Sequence, residues 1–63
     1  MNSKYIVMLN NEKSMIKGMK NVYNFIRSII GNDFYCTWND EKNQSDIILN
    51  SDNSIIGFFT LDK

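Results

Sequence analysis

Histidine, the commonest general acid–base and metal ligand, is absent from this chain of 63 residues. Its single cysteine, Cys36, therefore has no imidazole to take its proton. Cys36 also falls at an inward position of an alternating stretch, where a thiol is structural. One cysteine cannot close an intramolecular disulfide. The carboxylates are scattered over turns, and Asp40-Glu41 adjoin in a polar loop without the spacing of a metal site or an acid–base pair. Gly18, Gly31 and Gly57 lie too far apart to cradle a phosphate. These residue types imply no catalytic residue, no cofactor and no metal, and point to a protein that binds rather than reacts.

The cations are better organised. Lys13, Lys17, Lys20 and Arg27 recur at helical spacing, which gathers them on one side of a helix as a basic stripe suited to an acidic partner. The helix that would carry them runs from Glu12 to Ile30. Asn10-Asn11 offers N-cap side chains, Glu12 favours the positive end of the helix dipole, and Gly31-Asn32 supplies a left-handed stop. Apolar residues at 15, 16, 19, 22, 23, 26, 29 and 30 complete the amphipathic pattern.

The remaining segments read as strands. Lys4 to Asn10 is apolar on both alternations, as expected of a strand inside a sheet. Phe34 to Trp38 alternates large apolar with more polar side chains, and Asp46–Asn50 and Ile55–Leu61 flank a Ser-Asp-Asn-Ser turn and should form a hairpin. Gly57 within a strand signals a bulge or close packing. The fold is thus a single α+β domain over residues 1–63, of β-α-β-β-β order, with one amphipathic helix on a mostly antiparallel sheet.

Alternation divides that sheet into two faces. Phe34, Cys36, Trp38, Ile47, Leu49, Ile55, Phe59 and Leu61 turn towards the helix, with Tyr5, Val7 and Leu9. Ile6, Met8, Tyr35, Ile48, Ile56 and Phe58 are left on the outer face with Thr37 and Thr60. One helix cannot cover both sides, so the outer apolar residues make a candidate dimer interface.

Lysine plus arginine and aspartate plus glutamate number seven each, for a net charge of zero. The distribution is uneven: residues 1–32 carry +4 and residues 33–63 carry −4. Such polarity suits oriented docking on a protein. The alternative is a small nucleic-acid-binding or regulatory protein that uses the same cations, with stacking on Tyr35, Trp38 or Phe58, but the zero net charge and the lack of an RNP, helix-turn-helix or KH signature weigh against nucleic acid. The longest apolar run, Tyr5 to Leu9, is far short of a membrane span and of a signal-peptide core, so a cytoplasmic location without a membrane partner is expected. A chain this small, without disulfide or metal, often gains stability from a second copy.

Asn, Ile and Lys supply 25 residues, and Ala and Pro are missing, a bias typical of AT-rich genomes. In these traits together (small size, AT-rich composition, no catalytic equipment, a polarised surface) the whole chain resembles the small phage-encoded proteins that block bacterial defence systems, such as anti-CRISPR proteins and the short inhibitor of the Hachiman system. The likeness is one of type and rests on no aligned motif. It implies a non-enzymatic inhibitor acting in the host cytoplasm, a homodimer that occludes a site on a host protein.

Overall fold

Asn10 and Asn11 both adopt positive φ, 54° and 63°, a backbone state that asparagine tolerates better than most residues bearing a Cβ. Two such residues in succession make the tight turn of a β-hairpin. They join β1 (Lys4–Leu9) to β2 (Glu12–Lys17), with Leu9 opposite Glu12 and Lys4 opposite Lys17. The computed structural model describes residues 3–62, and the chain continues as α1 (Met19–Ile30), β3 (Phe34–Asn39), β4 (Gln44–Leu49) and β5 (Ile55–Leu61). One helix packs on a five-stranded antiparallel sheet of order β2-β1-β5-β4-β3. This is the α+β fold legible in the sequence, with the three strands after the helix where the hydropathy pattern puts them.

The sheet has one strand more than the pattern implies, because residues 12–17 are strand rather than the first turns of the helix. As a strand, this segment sends Ile16 against the core and leaves Lys13, Met15 and Lys17 exposed. Gly18, at φ 89°, then breaks the chain direction. The helix is therefore 12 residues long, about 18 Å at 1.5 Å per residue, where Glu12–Ile30 would reach about 28 Å. It opens with the Val22 N–H on the Gly18 carbonyl and closes at Gly31, whose N–H donates to Arg27 O at 2.9 Å. Gly31 has φ 83° and ψ −166°, a conformation open in practice to glycine alone.

Val22 and Ile26 of α1 meet Val7, Leu9, Ile47 and Phe59 of the sheet in a core joined by Tyr5, Ile16, Phe25, Ile30, Phe34, Cys36 and Ile56. Tyr23 extends this contact, with its ring stacked on Phe34 and edge-on to Phe59. The helix lies closest to β1 and β2.

Between β4 and β5 the register changes: Ile47 pairs with Gly57 but Ile48 pairs with Ile55, so Ile56 is the additional residue of a β-bulge. The bulge exchanges two neighbours relative to strict alternation. Ile56, which alternation assigns to the outer face, packs against the core, and Ile55, which alternation turns inward, is 65% exposed. Gly57 serves both purposes signalled in the sequence: it borders the bulge, and a Cβ there would run into the Met8 carbonyl oxygen.

Candidate functional site

A helix of only three turns leaves part of its own side of the sheet uncovered. Ser45 on β4 is opposite Trp38 on β3 and Phe59 on β5, and its small side chain cannot fill the space between two aromatic neighbours. The result is a cleft of about 280 Å³ beside the start of α1. Trp38, Met19 and Leu61 form its walls, with Tyr5, Phe59 and Ser45 deeper in. The wall residues are unusually accessible for their type: Trp38 is 57% exposed, Leu61 43% and Met19 40%. Trp38 is nonetheless held in place, since its indole Nε1 donates to Asp40 Oδ1 at 2.6 Å. Tyr5 meets Phe59 edge to face at the inner end. An apolar recess with a fixed aromatic wall and a few polar atoms suits an apolar side chain of a partner.

Alternation does place Trp38, Leu61, Phe59 and Tyr5 on the helix side. The short α1 covers Phe59, with Tyr23 edge-on to it, but leaves Trp38 and Leu61 exposed. The available signal was the pairing of a tryptophan with a serine across two strands, which leaves a gap wherever no further element arrives.

The basic stripe is divided by the same change. Lys13 and Lys17 lie on β2, alternating with the inward Ser14 and Ile16, so they face away from the helix; Lys20 and Arg27 are exposed on α1. Arg27 Nη1 donates to Asn24 Oδ1 at 2.9 Å. Lys4, opposite Lys17 in the ladder, joins Lys13 and Lys17 on the outer face, so these three cations gather at one end of the sheet while Lys20 and Arg27 stay on the helix.

On that outer face Ile6, Met8 and Phe58 are half-buried, Tyr35 is exposed and Ile48 is buried by its neighbours. Ile56 leaves the set because of the bulge. Met15 and Ile55 enter it, by pairing with Ile6 and Ile48. The face also holds Asp46, only 7% exposed. Its carboxylate accepts Gln44 Nε2 at 2.9 Å and Asn39 Nδ2 at 3.1 Å. Those two amides hold the carboxyl below its ordinary range against the opposing effect of burial.

Cys36 packs against the core, where burial pushes its thiol up; Tyr23, also raised chiefly by burial, lies beside it. A thiol in that setting stays protonated at neutral pH. Among the described residues no three His, Cys, Asp or Glu side chains converge as a metal site, and no helix is long and apolar enough to cross a membrane. Comparison with protein-family models, characterised proteins and solved structures finds no match to this chain.

Proposed function

We propose that this chain is a small non-enzymatic binding protein that inhibits a host protein by covering a site on it, with the Trp38 cleft as the principal contact. The observation that carries this reading is the convergence of three exposed large apolar side chains, Trp38, Met19 and Leu61, on one recess. Binding energy in protein interfaces concentrates in such aromatic-walled pockets. The likeness of the whole chain to phage-encoded blockers of bacterial defence supports the same class and suggests a defence protein as the target. A homodimer through Ile6, Met8, Met15, Tyr35, Ile48 and Phe58 fits this picture, leaving the cleft on the opposite side of the sheet free.

The test is capture from a bacterial lysate on immobilised protein, after nuclease treatment. One stoichiometric protein, retained by the wild type and lost with Trp38→Ala, is the expected result. Equal capture by both would move the site elsewhere. Light scattering at high micromolar concentration checks the dimer, which Phe58→Asp should dissociate because it places an unpaired charge in an apolar contact.

Lys4, Lys13 and Lys17 at one end of the outer face favour a second reading, a nucleic-acid contact. Fluorescence anisotropy with unrelated DNA and RNA oligomers separates the two. Submicromolar binding at low salt, lost with Lys13→Glu plus Lys17→Glu, would put nucleic acid first.

A further inference from the structure

We propose that β3 accepts an extended segment of the partner as a sixth strand, one with basic residues on either side of an uncharged middle. The proposal rests on the partner-binding reading above and specifies the form of the partner.

Among the described residues β3 is an edge strand that pairs with β4 alone. The N–H of Asn50 donates to Asp33 O, so the mutually bonded pairs of this antiparallel ladder fall on the odd-numbered residues of β3. The N–H and C=O groups of Cys36 and Trp38 therefore point away from β4. The N–H of Phe34 is already used locally, on Asn32 O at 3.0 Å. What remains is a short row of backbone donors and acceptors beside the cleft. Strand addition satisfies such a row, and side chains at alternate positions then supply the specificity. An incoming residue opposite Trp38 would point to the helix side, at the mouth of the recess.

Phe34 to Asn39 contains no charge, but carboxylates stand at both ends: Asp33 before it, Asp40 and Glu41 after it. The hydrogen bonds that Asp33 and Asp40 accept come from neutral donors, the Asn50 amide at 3.1 Å and the Trp38 indole at 2.6 Å, which leaves the negative charges in place. This pattern decides between occupants. Two copies joined antiparallel through β3 would bring Asp33 of one against Asp40 and Glu41 of the other, twice by symmetry, and like charges across a ladder are unfavourable. A partner segment with Lys or Arg seven or eight positions apart, about 24 to 27 Å in extended form, meets both acidic ends instead.

The probe is a short synthetic peptide of alternating Thr and Val with Lys and Arg at both ends, added at millimolar concentration and followed by NMR amide exchange on the intact protein. Exchange at Cys36 and Trp38 should slow at least tenfold. An acidic-ended peptide should bind about tenfold more weakly, N-methylation of alternate peptide nitrogens on the bonding edge should abolish the protection, and Glu41→Lys should weaken it several-fold. Equal binding by the N-methylated peptide, or protection at Lys13 and Met15 instead, would overturn strand addition at β3. Protection that rises with protein concentration without peptide would make a second copy the occupant. Shifts of the Met19 and Leu61 methyl signals without slower exchange at Cys36 and Trp38 would leave the cleft reading standing and remove the sixth strand.

Discussion

The two edges of the sheet are built differently. β2 presents Glu12, Lys13 and Lys17 along six residues, and its terminal Lys17 carbonyl is covered by Asn21 Nδ2 at 2.8 Å. β3 presents Phe34, Tyr35, Cys36, Thr37, Trp38 and Asn39, without a charge or a proline. Charged side chains and local covers discourage further pairing, whereas a neutral edge rich in β-formers invites it. The helix packs across the middle of the sheet, on Val7, Phe59 and Ile47 and through Tyr23 on Phe34, and leaves the Trp38 corner open. One end of the sheet is closed off within the chain, and the other keeps an uncharged edge strand and an open cleft.

Four measurements test this contrast. The largest expected effect is on stability at the buried centre of the β3–β4 end: Ile47 is fully buried, so Ile47→Ala should cost about 2–5 kcal/mol in urea unfolding. Ile16→Ala on the half-buried β2 should cost visibly less, and equal losses would show that both ends are packed alike. Next, Trp38→Ala should lower affinity for the captured partner by roughly 2 kcal/mol or more, as central aromatic contacts do. The same change should leave urea stability nearly untouched, because 57% of Trp38 is already in water; a large stability loss would assign it to the core instead.

At the finished edge, Asn11→Val forces a β-branched residue into positive φ and should cost about 1–2 kcal/mol. Amide exchange should then rise along β1 and β2 first, leaving β3 and β4 unchanged. The smallest effect is electrostatic. The Asp46 carboxyl titrates below its ordinary 3.8 in the folded protein, so the unfolded chain takes up that proton first as pH falls. The stabilisation is complete above the ordinary carboxylate range, declines as pH drops through 3.8, and is lost once pH passes the lowered folded value. Asp46→Asn should flatten this part of the acid-stability profile, and an unchanged slope would show that other carboxylates carry it.

Several elements were fully legible in the residues. Three later strands, the helix stop at Gly31 and the tight packing at Gly57 follow from alternation and glycine chemistry, because each depends on neighbours close in sequence. Most of the inward face, including Val7, Phe34, Cys36, Ile47 and Phe59, was legible for the same reason. Residues 12–17 were not. Met15 and Ile16 adjoin, so one of them faces inward whether the segment is helix or strand, and Asn10-Asn11 serves equally as a helix cap or a hairpin turn. Only pairing with β1, a contact made through the folded sheet, resolves that choice.

The α+β class, the buried Val7, Leu9, Val22, Ile26, Ile47 and Phe59, and the lack of histidine could be read from the residues alone, since these depend on residue type and short-range periodicity, whereas Met15, Met19, Ile29 and Leu61, apolar by the same pattern, are exposed. Contacts across the folded sheet set the length of the helix, the division of Lys13 and Lys17 from Lys20 and Arg27, the exchange of Ile55 with Ile56 at the bulge, and the opening beside Trp38. Each of these depends on where one element ends relative to another across the sheet. A shift of one residue in a strand reverses the face of every side chain beyond it, and a hydropathy pattern does not record where such a shift occurs.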